Sequence, residues 1–343
     1  MTRIFLSALT AIVLCASASV GRAGTLDDVR SRGALACGVD QLAGFATSDS
    51  AGKWSGFEVD FCRAVAAAVL GDAAKAKIIP LSTKDRFGAL AGGQVDILTR
   101  VAPRNATWNG PRGAALPVVV AVTNYYDGQG FMINTKKLSG INSALQLSGA
   151  SICVHAGTPS ELNVNDYFRS KKMEYQLIRY DTPDEAAAAY DNDQCQVYTG
   201  DLSALYAQRL KLSHPADHAI LPEVIAREPL GPAVRQGDDQ WLELVKWVHF
   251  AMLDAEEDGV TSSNADEMKK SENPEIRRLL GVEGDFGAGL GLPLDWAYRI
   301  IKQVGNYGEI FNKNIGPATP LGIARGSNAL WSKGGLQYAP PIR

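Results

Sequence analysis

At 343 residues, the chain is too long for one minimal core and suits about two domains of ordinary size. Its composition, 46% hydrophobic and 21% charged with no low-complexity run, is that of a globular protein rather than a disordered or fibrous one. A formal net charge of −3 provides no basic field for a phosphate backbone, which argues against nucleic acid as a partner.

The first residues carry a targeting pattern. Met1-Thr2-Arg3 is a short positive start, Ile4 to Ala18 is apolar or small throughout, and small residues run on to Gly21-Arg22-Ala23. This order predicts a cleaved secretory signal peptide over residues 1–23, with Ala18 as the alternative cleavage point. The stretch is shorter than the roughly 20 apolar residues that a membrane span needs. Leu14, before Cys15, is not the small residue that lipoprotein processing requires. Removing Arg3 and Arg22 leaves 32 basic against 37 acidic residues, a mature net charge of −5. Cys15 leaves with the signal, so Cys37, Cys62, Cys153 and Cys195 remain, in an oxidising compartment where disulfides persist. Four cysteines allow three pairings, and their grouping into an early and a late couple favours Cys37–Cys62 and Cys153–Cys195. No C-x-x-C spacing marks a zinc site.

Next along the chain come a helix near Thr25–Arg32 and a buried strand, Ala34 to Val39. In Glu58 to Leu70, the residues Val59, Cys62, Val65, Ala66 and Val69 recur at helical spacing. A strand at Lys77–Leu81, a helix at Arg86–Ala91 stopped by Gly92-Gly93, and a strand at Val95–Leu98 follow. The outline then repeats: strand Ser151–Val154, helix Glu161–Phe168, strand Gln176–Tyr180, helix Pro183–Tyr190, and strand Cys195–Tyr198 leading to Asp201. Each half therefore reads β-α-β-α-β, the pattern of a parallel sheet with helices on both faces. Tyr125 to Phe131 links the halves with glycines that absorb backbone rotation, and Pro229-Leu230-Gly231-Pro232 returns the chain. These crossings divide the chain into lobe one, residues 24–127 plus 231–343, and lobe two, residues 128–230. A long amphipathic helix, Asp239–Glu257, a further helix, Pro293–Val304, and an irregular tail packed on lobe one complete the order.

Open α/β sheets bind ligands beyond the carboxyl ends of their strands. Those ends fall at Gly38–Phe45, Lys53–Phe57, Thr99–Arg112, Ala156–Ser160 and Thr199–Asp201. An α-amino acid asks for a guanidinium fork with hydroxyl and backbone donors at its carboxylate, and for a carboxylate at its ammonium. Asp201 stands where the second is needed.

From residue 25 onward the chain resembles the periplasmic general L-amino acid-binding component of polar amino-acid ABC importers, within solute-binding protein family 3. The stretches that carry the resemblance are Gly56–Val65, Tyr125–Met132, Glu228–Asp239, Asp295–Tyr298 and Asn328–Tyr338. It implies an α/β, two-lobed periplasmic binding protein-like II fold with two hinge strands, acting as a monomer without cofactor or metal. Its partners would be an amino acid and an inner-membrane ABC permease. The family's Thr-x-x-x-x-Arg carboxylate clamp falls on Thr107 and Arg112, with Asn105 as a further donor. Gly157 and Thr158 match the lobe-two carboxylate loop, with Ser160 beside them; Asp201 matches the ammonium site, and Phe45 and Trp54 match pocket walls. The passage Leu98 to Arg104 is longer than the family's, so Arg100 or Arg104 can be its first arginine. Arg104 is preferred because it directly precedes Asn105-Ala106-Thr107-Trp108. Asn109 and Gly110-Pro111-Arg112-Gly113 depart from the usual clamp, and Pro159 removes one N–H and one hydroxyl from the carboxylate cradle.

Two rival readings share the fold. A periplasmic dehydratase acting on prephenate-like substrates would need His155, or an acid near Asp201, as its catalyst, and turnover would reveal it. An amino-acid sensor docking on a receptor kinase would lack a neighbouring permease and ATPase. The sequence has no G-x-S-x-G, H-E-x-x-H or G-x-x-x-x-G-K-[ST] motif.

Overall fold

The computed structural model describes residues 24–82, 84–102 and 117–343. The predicted signal peptide, Arg104, Asn105, Thr107, Trp108 and Arg112 lie outside the described residues. The strands are β1 (Leu35–Val39), β2 (Thr47–Ser48), β3 (Trp54–Ser55), β4 (Ala76–Pro80), β5 (Ile97–Val101), β6 (Val118–Val120), β7 (Tyr125–Asn134), β8 (Ala150–His155), β9 (Tyr175–Tyr180), β10 (Val197–Asp201), β11 (His218–Ile220) and β12 (Ala226–Arg235). Apart from the β2–β3 hairpin they form one sheet in the order β4-β1-β5-β12-β7-β10-β8-β9, with β6 beside β12 and β11 beside β7.

Two parallel trios, β4-β1-β5 and β9-β8-β10, make the lobe sheets. Both long strands cross between them. β12 pairs antiparallel with β7 over Ala226–Leu230, then turns to β5 and β6 from Gly231 onward. β7 pairs with β12 over Tyr125–Gln129 and with β10 and β11 beyond. The connection between lobes is thus a two-stranded ribbon.

Neighbouring residues of a strand point to opposite faces, and both faces are covered. Ile97 and Val234 face one core of lobe one, while Leu98 and Ala233 face the other. In lobe two, Phe131, Ile133 and Ile152 pack on one side, and Met132, Cys153 and Tyr198 on the other. Helices Phe57–Leu70 and Asp239–Glu257 build the larger core with Trp241, Val245 and Met252. The tail adds helices Trp296–Gln303 and Tyr307–Asn314, the second started by an Asn306/Glu309 capping box. Buried His249 holds the tail through Gln337 at 3.0 Å, as expected of a packing histidine. Among the described residues no helix is long and apolar enough to cross a membrane.

Disulfides join Cys37 to Cys62 and Cys153 to Cys195, each within one lobe. Each closes a loop of moderate length, 25 and 42 residues, which restricts the unfolded chain. Replacing Cys153 and Cys195 together by alanine is expected to cost about 2 kcal/mol of stability, measured by chemical denaturation.

The hinge glycines act by clearance rather than by backbone freedom. Gly128, Gly130 and Gly231 all have φ outside the left-handed region. A Cβ on Gly130 would lie 2.4 Å from Leu202 Cδ2, and one on Gly231 would lie 1.8 Å from the Val122 carbonyl oxygen.

Candidate functional site

The carboxyl ends of all six parallel strands converge on one cavity of about 830 Å³ between the lobes. Asp40 follows β1, Ser82 follows β4, and Arg100 lies in β5. His155 ends β8, Thr182 to Asp184 follow β9, and Asp201 ends β10.

Asp201 stands at the start of helix Leu202–Arg209 yet makes no side-chain cap bond to it. Asp127 on β7 takes that role, accepting from the Ser203 N–H at 3.2 Å and from the Ser203 hydroxyl. The Asp201 carboxylate is therefore left to the cavity, with 40% of its side chain exposed. Loss of water around it pushes its pKa up to about 6, Asp127 adds to the rise, and Arg100 opposes it. Glu228, paired with Asp127 across the ribbon, is pushed up to about 6 by burial and by the same two aspartates.

Arg100 is the cation at the centre of these acids, and its side chain is 10% exposed. Nη2 donates to Ser203 Oγ at 2.6 Å and lies 3.5 Å from Asp127 Oδ2 and 3.7 Å from Asp201 Oδ2. Its guanidinium carbon sits 5.0 Å from the centre of the Phe45 ring. The residue holds φ +55°, and its carbonyl accepts from Arg86 Nη1 at 3.4 Å. On the lobe-one side, fully buried Glu58 accepts from Thr99 Oγ1 at 2.8 Å. Burial pushes Glu58 up to about 7, against the pull of Arg100 and Thr99.

The structure thus brings together Asp201, Phe45 and Arg100; Arg104, the other arginine weighed from the sequence, lies outside the described residues. Phe45 is buried beneath the guanidinium as a shelf rather than exposed to the cavity. Trp54 packs on the lobe-one core, and its hairpin partners Thr47 and Ser48 line the cavity instead. In lobe two, Gly157 has φ +68° and its N–H donates to Glu161 Oε2 at 3.2 Å. Thr158 Oγ1 donates to the His155 carbonyl at 2.7 Å, and the Ser160 carbonyl accepts from Gln129 Nε2 at 2.9 Å. Sequence reasoning missed Glu58, Asp127 and Glu228. Asp127 carried a signal, as an acid inside the crossing segment; Glu58 reads as an ordinary first-turn helix acid. Among the described residues no group of three or more His, Cys, Asp or Glu side chains is placed to hold a metal ion.

A sequence model described as bacterial extracellular solute-binding proteins, family 3, matches residues 35–266. The general L-amino acid-binding periplasmic protein AapJ of Rhizobium johnstonii is 53% identical over 340 residues, covering 98% of both chains. The glutamate/glutamine/aspartate/asparagine-binding protein BztA of Rhodobacter capsulatus is 48% identical over 338 residues, covering 98% of this chain and 97% of its own. Among solved structures, a periplasmic binding protein from Brucella ovis with glutathione bound is 57% identical with a TM-score of 0.85. It covers 94% of this chain and 100% of that one.

Proposed function

Because the chain belongs to the bacterial extracellular solute-binding proteins, family 3, we propose that it captures a free L-amino acid outside the cytoplasm and delivers it to an ABC permease. The observation that carries this reading is the Asp201 carboxylate, released from capping its own helix and turned into the cavity. Asp201 takes the ligand's ammonium. Arg112, supported by Thr107 and Asn105, takes the carboxylate, and the Gly157-Thr158 loop closes over it from lobe two. Residues 24–127 with 231–343 move as one body and residues 128–230 as the other, about the β7–β12 ribbon. The ligand favours closure because only the closed form offers both halves of the site. Residues 1–23 direct export and are cleaved, and the ligand leaves chemically unchanged. Relatives named as a general L-amino acid-binding protein and as a glutamate/glutamine/aspartate/asparagine-binding protein support the class of ligand.

A second ligand class is suggested by the Brucella ovis relative, whose bound glutathione is a γ-glutamyl peptide that carries an α-amino-acid group of its own. Calorimetric titration of the mature protein with the twenty amino acids and glutathione tests both. Binding of a polar amino acid tighter than about 10 μM is expected, with the ligand recovered intact. No heat with any of them, or a converted ligand, refutes the reading.

A further inference from the structure

Arg100 carries more bonding capacity than the described residues use. Nη2 is shared between Ser203, Asp127 and Asp201, but Nη1 is buried and finds no acceptor among the described residues. A guanidinium N–H held away from water without a partner is unfavourable, and this one belongs to a side chain that lines the cavity. The surroundings fix the fork in place. Phe45 supports one face, the Arg86 side chain holds the backbone carbonyl, and Asp127 anchors the inner edge.

Asp201, on the proposed reading, must receive the ligand's ammonium, and Arg100 is already within 3.7 Å of it. Of the two carboxylates at the guanidinium Asp201 is the one open to the cavity, 40% exposed, while Asp127 is 1% exposed and held by Ser203. An arriving ammonium therefore draws Asp201 away while Asp127 keeps Arg100 anchored. That exchange leaves the guanidinium with less negative charge around it than before. A ligand with a carboxylate on its side chain restores the balance; an aliphatic side chain does not.

We infer that Arg100 selects for an anionic side chain, giving up Asp201 to the ligand's ammonium and taking the ligand's side-chain carboxylate on the Nη1 edge that no described residue occupies. The inference rests on the amino-acid reading above but adds an order of preference. Acidic amino acids bind best, their amides follow, and aliphatic ones bind least. Lysine at this position would supply charge without the fork, and so restores only part of the preference.

Calorimetry on the mature protein with L-glutamate, L-glutamine and L-alanine tests it, using wild type, Arg100→Gln and Arg100→Lys. Wild type is expected to prefer glutamate to alanine by at least about 30-fold. Arg100→Gln is expected to bring the two within about threefold, mainly through loss of glutamate affinity, with Arg100→Lys between. The γ-methyl ester of glutamate, on wild type alone, is expected to fall to the level of glutamine, a readout that needs no variant. A wild type that does not prefer glutamate, an Arg100→Gln variant that keeps the ratio, or an ester that binds like glutamate overturns the assignment. Failure of wild type to bind any of the three sinks the amino-acid reading itself, which is a different outcome.

Discussion

Asp201→Ala is expected to weaken amino-acid binding by at least about 100-fold, close to 3 kcal/mol, because it leaves a ligand ammonium without its carboxylate in a site closed to water. Arg112→Ala is expected to match it at the other end of the ligand, and unchanged affinity there would refute the clamp. Neither loss should come from unfolding. Asp201 does not cap its helix, Asp127 remains to neutralise Arg100, and Glu228 loses a like-charged neighbour. The same residue sets the pH dependence. With its carboxyl pushed up to about 6, Asp201 gains its proton as pH falls through that range. Affinity should therefore be nearly level above pH 7 and fall as pH drops through about 6, approaching tenfold per unit. In Asp201→Asn that slope should be largely lost. Glu58 and Glu228, which titrate close by, account for whatever slope remains. A variant that keeps the full wild-type slope would remove Asp201 from the ligand's site.

Much of this cleft was readable from local pattern. Apolar strand runs such as Leu35–Val39 and the turns after them located the strand ends, and six such ends do meet at the cavity. Asp201 could be placed at the cavity because it ends a strand and begins a helix. What escaped was set by contacts distant in sequence. Arg104 is favoured in the sequence by its place directly before Asn105-Ala106-Thr107-Trp108, outside the described residues, while the strand expected at Val95–Leu98 stops short of Arg100. β5 in fact continues to Val101, held by pairing with Gly231 some 130 residues later, and this carries Arg100 into the cleft. Trp54 looked like a pocket wall because it lies near a strand end, but the β2–β3 hairpin turns its ring onto the lobe-one core. Glu58 is unremarkable in a helix's first turn until Thr99 and Arg100 close over it. The helix Tyr307–Asn314, read as irregular tail, did carry a local signal in the Asn306-x-x-Glu309 capping box.

The other large effect lies in the ribbon that any closure must bend. At Gly231, β12 leaves β7 and passes to β5 and β6, with a shift of register between Gly231 and Ala233. A Cβ there would stand 1.8 Å from the Val122 carbonyl oxygen and 2.9 Å from its carbon, both backbone atoms that no rotamer change can move. Gly231→Ala should therefore push two strands apart and cost at least about 3 kcal/mol, at the upper end of what overpacking usually costs. Gly237 separates this cause from backbone conformation, since it has φ +88° but nothing within 4 Å of the added Cβ. Gly237→Ala should cost only about 1 kcal/mol, through strain alone. Denaturation of both variants, followed separately in each lobe because two lobes need not unfold in one step, gives the comparison. If the two substitutions cost the same, the crossing has slack that the geometry denies it. If Gly231→Ala costs the most and also loosens ligand binding with every contact residue intact, the ribbon's fit is what joins the stability of the fold to the capture of its ligand.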